Sequence, residues 1–539
     1  MPSFLQTVKV HYWILLILLF AFLVRVWDVG DNPPGFFRDE ADKALTARSL
    51  LTTGRDLEGR PMPFFVRSLG VYTSGVYQYV LLPFVLLLGT GQWVIRLPAV
   101  LAGTATVFVT YLLGREAYDR RTGLLAATLL AISPWHVQFS RWANQGIFLP
   151  LALALGCYFL LRGRGPQAAG GRAASARGTS LRPWLLSAVC LAASLYTYAP
   201  AKLFLPLFFG VLAVIYWRDL FVAAPDQRWP RFYKVAGLII LLSLPMLVYT
   251  FYDWGRSSLR FNRVSIFHSG GTVQDFTFLF ARNYLAHFSP SFLLWQGDAN
   301  LRHSPPQVGQ LLKPEAVLLV LGVYGLLRRR RREDWMLLAW LALGPLPASL
   351  THEGIPHALR SIAILPAVQL IAAVGGIRLY DYFVCRERRG VIQSDVPRKM
   401  VSIVLIAAFG IFGGLYLVLL FGYYPQDSAP AWEYGYGQTI HFVEQHRKPD
   451  QEVVFSRWAP YAETHVLYQT KGDLRAFQKT QTIPGYRFLK INEPTETDFF
   501  VSPGRSLYVL TPLDRIDRQP LYTVRFPDGS MAWRVVERP

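Results

Sequence analysis

The sequence predicts an α-helical polytopic membrane protein, with about eleven transmembrane helices plus juxtamembrane helices, that ends in a soluble α/β domain. Three observations carry this. Of 539 residues, 52% are apolar and only 17% charged, against about 25% charged in soluble domains. The apolar residues gather into long runs, as a bilayer requires of a chain that crosses it. The basic residues fall in alternate short loops between those runs, the positive-inside pattern. That distribution turns the formal net charge of +20 toward a membrane and away from nucleic acid.

Spans are expected near 12–27, 94–114, 122–139, 146–161, 184–200, 203–217, 235–252, 314–327, 335–350, 359–377 and 401–421. The first, Tyr12 to Val26, has the length of a signal peptide, but no small-residue cleavage site follows it, so it reads as a retained helix. With the N-terminus cytoplasmic, the loops Arg115 to Arg121, Arg162 to Arg182, Arg218 to Lys234, Arg328 to Arg332 and Arg378 to Lys399 are cytoplasmic, and each is Arg-rich. The short outer loops hold few cations, chiefly Arg141, Lys202 and Arg360. Val76 to Leu88 is too short to span comfortably, and counting it would invert every later loop. It reads as a helix lying at the outer interface, as the amphipathic Tyr72, Tyr77 and Tyr79 allow.

The membrane domain is thus placed at 1–423. Its first outer loop, 28–93, holds a helical segment from Glu40 to Leu51 and the interfacial helix. A second long outer loop, 253–313, is punctuated by Gly270-Gly271 and Pro305-Pro306 and is long enough to act as a lid. The Gly/Ala/Arg/Ser-rich stretch 162–183 reads as a flexible cytoplasmic linker. Cys157, Cys190 and Cys385 show no metal or disulfide spacing and suit helix packing. The extracytoplasmic α/β domain is placed at 424–539, with strands at Glu452 to Ser456, His465 to Gln469 and Ser506 to Thr511. A hairpin follows, from Tyr522 to Phe526 and Met531 to Val536 around Pro527-Asp528-Gly529-Ser530. Thr439 to His446 reads as a helix. With no nucleophile or metal constellation, this domain is expected to be a lid or scaffold.

Ionisable residues at the ends of membrane helices cost free energy to place and are functional candidates. Four sets share the expected outer face. They are Asp39, Glu40 and Asp42; Ser140-Arg141-Trp142-Ala143-Asn144-Gln145; Tyr196-Thr197-Tyr198 with Lys202; and His352-Glu353 with His357 and Arg360. For a single Arg, contact with lipid head groups explains the position equally well. Two acidic centres and several cations at one mouth suit an anionic leaving group and a hydroxyl or amine acceptor.

Several of these residues lie in motifs: Arg38-Asp39-Glu40-Ala41, the interfacial helix ending Leu88-Gly89, and Val94-Ile95-Arg96-Leu97-Pro98. Further on come Ile132-Ser133-Pro134-Trp135-His136 with Ser140-Arg141, and Ile355-Pro356-His357-Ala358-Leu359-Arg360-Ser361 followed by Leu365-Pro366. In this order they resemble the clan C polytopic glycosyltransferases, in particular the dolichyl-phosphate-mannose protein mannosyltransferases and the lipid A aminoarabinose transferases. The resemblance implies a helical membrane bundle with an outer soluble domain. It implies transfer of a sugar from a polyprenyl-phosphate donor to a protein, lipid or glycan acceptor at the outer face of the cell membrane. Asp39 matches the family's first-loop catalytic acid, a general base that takes the acceptor's proton as its oxygen attacks the anomeric carbon. In-line attack against the phosphate inverts that carbon. Arg360 suits the leaving phosphate best, through bidentate bonding, followed by His357 and Lys202 and then Arg141. Glu40 binds the acceptor or orients Asp39, and Asp42 and Tyr198 join the substrate-binding set.

Two departures stand out. Where relatives often carry a second acid, this chain has Asn144 and Gln145, which hydrogen-bond a sugar but cannot act as a base. Where some carry a Lys before the interfacial helix, it reads Tyr72-Thr73-Ser74-Gly75. No cofactor is expected; a divalent metal near Asp39 and Glu40 would lack neighbouring His or Cys ligands. The competing classes are a transporter or lipid flippase, which would place its charges near the midplane and often repeat internally, and a non-catalytic assembly or sensor protein whose outer domain binds a partner.

Overall fold

The computed structural model describes residues 2–164, 180–221, 230–252, 261–268, 270–388, 395–489, 506–514 and 518–538. The chain forms two compact units, one of Met1–Trp27, Ala99–Ser140 and Gln145–Val418, the other of Asp28–Pro98, Arg141–Asn144 and Leu419–Pro539. The expected linker at 162–183 lies largely outside the described residues.

The first unit is helical, as expected of a polytopic membrane protein. Among the described residues, Gln92–Ala117, Gln145–Arg164, Arg231–Phe251, Ile362–Arg386 and Val396–Trp432 are each long and apolar enough to cross a bilayer. Other expected spans are interrupted. The run 122–139 is two helices, Arg120–Ile132 and Pro134–Phe139, broken at Ser133, whose side chain caps the second with Pro134 in its first turn. The run 335–350 breaks at Gly344-Pro345 into Arg332–Leu343 and Leu346–Ser349. The run 359–377 becomes α-helical only at Ala367, after a 3-10 turn at Ile362–Ile364, because Pro366 disfavours α geometry in the residue before it. Helices Lys313–Arg329 and Ala367–Arg388 approach closely through glycines. A Cβ on Gly322 would lie 2.0 Å from the Ile371 carbonyl oxygen, and one on Gly375 2.0 Å from that of Leu318, the small-residue contact that membrane helices favour.

The loops of this unit sort into two groups. All five Arg-rich loops are joined by polar contacts: Arg121 to Asp381 at 3.0 Å, Tyr118 to Asp334 at 2.9 Å, Arg329 to Asp334 at 2.9 Å, Arg164 to Glu333 at 2.5 Å and Arg332 to Asp219 at 2.6 Å. The intervening loops and the helices beside them meet one another instead. The Trp135 indole donates to the Ala358 carbonyl at 3.0 Å, Gln138 to that of Arg302 at 3.0 Å, and Asn283 to that of Thr351 at 2.9 Å. An alternating topology requires such a partition.

The second unit holds helix Arg38–Thr53, which a left-handed Gly54 terminates. A hairpin follows, β1 (Phe65–Ser68) with β2 (Val71–Ser74), turning at Leu69-Gly70, both at positive φ as a two-residue hairpin demands. Helix Val76–Leu88 lies where the interfacial helix was expected, with Tyr77, Leu81 and Val85 buried and Leu86 and Leu87 exposed.

The C-terminal sheet contains β3 (Glu452–Ser456), β4 (Tyr486–Leu489), β5 (Ser506–Leu510), β6 (Tyr522–Arg525) and β7 (Met531–Arg538) in the order β4-β3-β5-β7-β6. Its first three strands in space are parallel; β7 and β6 join antiparallel. Strand β5 is buried throughout, the mark of a central strand covered on both faces. Val453, Phe455, Leu507 and Val509 face one core, and Val454, Tyr508 and Leu510 the other. The hairpin at 527–530 forms as expected, with Phe526 N–H donating to the Ser530 carbonyl at 2.8 Å. One expected strand is instead a helix: Ala462–Gln469 buries Ala462, His465, Val466 and Leu467, a helical stripe that five residues of apparent alternation concealed.

Candidate active site

In the second unit, Asp39 stands in the first turn of helix Arg38–Thr53. It is half-buried, and its backbone carbonyl accepts from Lys43 Nζ at 3.1 Å. Among the described residues its carboxylate makes no hydrogen bond or ion pair. Its position in a first helical turn suits a carboxylate, because the helix N-terminus carries partial positive charge.

Glu40, beside it, is wholly buried and fully engaged. Arg96 grips it with two parallel bonds, Nε to Oε1 at 2.9 Å and Nη2 to Oε2 at 2.8 Å. The Ala143 N–H adds a bond to Oε1 at 2.8 Å, and the Phe37 N–H one to Oε2 at 3.3 Å. Arg96 also donates to the carbonyls of Val29 at 2.9 Å and Pro33 at 3.0 Å, and to that of Gly35. Glu40 therefore ties the approach to the Asp39 helix, residues 29–37, to the Arg141–Asn144 segment. Of its two expected roles, this geometry suits orienting Asp39.

Asp42 is also buried. Burial pushes its carboxyl up to about 6 from an ordinary value of 3.8, opposed by a hydrogen bond with Ser68 and the charge of Lys43. Because the folded value is the raised one, Asp42 favours the fold below about pH 4 and loses that contribution as pH rises through about 6. Asp42→Asn is therefore expected to raise thermal stability at pH 7.5, by a few kcal/mol at about 1.4 kcal/mol per unit. The gain should vanish at pH 4; an equal gain at both pH values would remove this explanation.

Arg141 is buried, donating to the Asn32 carbonyl at 2.8 Å with its guanidinium 4.8 Å from the Phe421 ring centroid. Asn144 is buried in the same segment.

In the first unit, Arg360 and His357 share the loop after Thr351. The Arg360 Nη1 donates to Thr351 Oγ1 at 2.8 Å and to the Glu353 carbonyl at 3.0 Å, while Arg360 N–H donates to His357 Nδ1 at 3.2 Å. Burial, then the charges of His303 and Arg360, holds His357 well below the usual imidazole range and so neutral. Lys202 is exposed, its Nζ 3.5 Å from Thr250 Oγ1; Tyr198 and Gln145 are half-buried. The sequence reading missed two residues beside His357. Asp298 accepts from His303 Nδ1 and from Ala358 N–H, at 2.8 and 2.7 Å, and the His303 and His357 rings lie 4.8 Å apart. Burial raises the Asp298 carboxyl, but the hydrogen bond from His303, with smaller effects beside it, outweighs burial and holds the carboxyl below its ordinary value. The polar run Gly297-Asp298-Ala-Asn300-Leu-Arg302-His303 inside an outer loop was the available signal.

Donor atoms of Asp298, His303 and His357 lie within 4.8 Å of one another, so these residues could hold a metal ion. In the present geometry Nδ1 of each imidazole is engaged, with Asp298 and with the Arg360 N–H. A cation would have to displace these bonds or use the Nε2 atoms.

Comparison with known proteins fits this architecture. Residues 75–249 match the model of a family described as dolichyl-phosphate-mannose-protein mannosyltransferase. The fold is similar to that of ArnT from Cupriavidus metallidurans, solved with undecaprenyl phosphate bound, at 13% identity over 97% of this chain and 98% of that one, TM-score 0.57. It is also similar to the archaeal oligosaccharyltransferase AglB from Archaeoglobus fulgidus, solved with an inhibitory peptide and dolichol-phosphate, at 14% identity over 86% of this chain and 64% of that one, TM-score 0.53. No curated protein matches the sequence. The fold is similar to those of ArnT and AglB, and the resemblance read from the residues, to mannosyltransferases and aminoarabinose transferases, is borne out. The chain is a membrane protein.

Proposed function

We propose that this chain transfers a sugar from a polyprenyl-phosphate-linked donor to an acceptor at the extracytoplasmic face, with inversion and with Asp39 as general base. What supports this reading, beyond the family match, is the state of the three clustered acids. Glu40 and Asp42 are buried, Glu40 in an ion pair, whereas Asp39 is partly exposed and its carboxylate is unengaged among the described residues. Asp39 takes the proton from the acceptor as its oxygen attacks the anomeric carbon, and the bond to the lipid phosphate breaks. Arg360 stabilises the charge developing on that phosphate, while His357, neutral, is a hydrogen-bond partner for it and Lys202 a further cation. Glu40 orients the helix that carries Asp39, and Asn144, Gln145 and Tyr198 contact substrate. The Arg-rich loops face the cytoplasm and the C-terminal domain lies outside. No cofactor is assigned to the reaction, and the Asp298, His303 and His357 group is not given a metal in it.

The test is release of polyprenyl phosphate and labelled product by the purified full-length chain in lipid, offered polyprenyl-phosphate-linked mannose and aminoarabinose with membrane-extract acceptors. Donor-dependent transfer is expected. Translocation of the intact donor without its cleavage would favour the flippase reading.

A further inference from the structure

We infer that Glu433, with His465 behind it, is a positioning residue for the reaction: by holding Arg38 it fixes the helical turn that presents Asp39. The inference rests on the reading of Asp39 as the base.

Arg38 immediately precedes Asp39, and Glu433 holds both its backbone and its side chain. The Arg38 N–H donates to Glu433 Oε2 at 2.9 Å and its Nε to Oε1 at 2.5 Å; its Nη2 pairs with Oε1 as well. Glu433 thus caps the helix N-terminus from outside the helix and anchors the guanidinium with a fork that lysine could not form. His465 Nε2 lies 2.9 Å from Glu433 Oε2, with side-chain exposures of 1% and 7%, and its ring stacks 3.9 Å from that of Tyr436. The Arg38 guanidinium also lies 4.8 Å from the centroid of Tyr461 and 5.1 Å from that of Phe37. Glu433 and Tyr461 both sit at positive φ, 56° and 59°, a region that side-chain-bearing residues rarely adopt and that persists where surrounding contacts over-determine it.

Asp39 therefore stands between two neighbours, each fixed in an ion pair of opposite polarity: Arg38 on Glu433 and Glu40 on Arg96. The first turn cannot swivel without breaking one of them. Glu433 also keeps the Arg38 cation occupied. Released, that guanidinium would sit one residue from Asp39, free to pair with its carboxylate and block the acceptor proton. The C-terminal domain, expected from sequence to be a lid or scaffold, thereby supplies residues that pre-organise the base.

The experiment is steady-state transfer by the full-length chain in lipid, with the same polyprenyl-phosphate sugars, for Glu433→Gln, Arg38→Ala, Glu433→Ala, the Arg38→Ala/Glu433→Ala pair and Asp39→Asn. Glu433→Gln is expected to lower kcat about 10- to 100-fold, as small misplacements of a reacting group do, with the donor KM within about threefold. The double variant should lose no more than the worse single one, because both changes break the same link. Wild-type kcat in Glu433→Gln, a loss confined to KM, or losses that multiply would each overturn the inference. Should Glu433→Gln fail to fold, Arg38→Lys, which keeps the charge and loses the fork, is judged by the same criterion. Transfer by Asp39→Asn would overturn the base itself. An inactive Asp39→Asn beside a fully active Glu433→Gln would overturn only the positioning role.

Discussion

Asp39→Asn is expected to lower kcat for sugar transfer about 10²- to 10⁴-fold, the usual range for removing a general base, with little change in donor KM. Asparagine keeps the shape and the helix position but cannot accept a proton near neutral pH. The substitution should leave the fold intact, because the Asp39 carboxylate has no internal partner among the described residues and only its backbone carbonyl holds Lys43. Neither neighbouring carboxylate can take over easily: Glu40 is enclosed by Arg96, Ala143 and Phe37, and Asp42 is buried. Equal kcat for Asp39→Asn and wild type, at matched thermal stability, would remove Asp39 from the mechanism.

Arg96→Ala is expected to be the most damaging single change to the fold. It strands the Glu40 carboxylate at zero exposure and deprives the carbonyls of Val29, Pro33 and Gly35 of their shared donor. Breaking one side of a buried pair costs roughly 3–5 kcal/mol. The loss should appear as a lower thermal midpoint and faster proteolysis within 28–98. Arg96→Lys should recover little, since an ammonium cannot serve two carboxylate oxygens and several carbonyls at once. Neutralising both partners, as Arg96→Met with Glu40→Gln, should be less harmful than Arg96→Ala alone, because the stranded charge is gone. Stability within about 0.5 kcal/mol of wild type for Arg96→Ala, the range of an ordinary surface change, would show that the pair contributes little.

Much of the architecture was legible in the sequence because it follows from periodicity and charge. The interfacial helix was placed at Val76–Leu88 by its length and by the sign of the loops around it, and the structure has a helix with those bounds. The five Arg-rich loops were grouped by the positive-inside pattern, and ion pairs such as Arg164–Glu333 and Arg332–Asp219 bring them together. The 527–530 turn was readable because Asp-Gly chemistry fixes it locally. What escaped was set by distant partners. Arg96 was visible only as part of a motif, for its carboxylate partner lies 56 residues away. The partners of Arg38 and Asp298 depend likewise on chain paths that no local pattern encodes. Glu40 and Asp39 are adjacent and chemically alike in sequence; burial separates them, and burial belongs to the fold. The helix at Ala462–Gln469 was misread because five residues cannot distinguish a period of two from one of 3.6.

The proposed reaction is a single displacement at the anomeric carbon, driven by one carboxylate against a lipid-phosphate leaving group. Its most direct test is the anomeric configuration of the product, read by NMR, when the full-length chain transfers sugar from a polyprenyl-phosphate donor of defined configuration. Inversion is the predicted result. A product of retained configuration, or no product from any polyprenyl-phosphate sugar, would contradict the account.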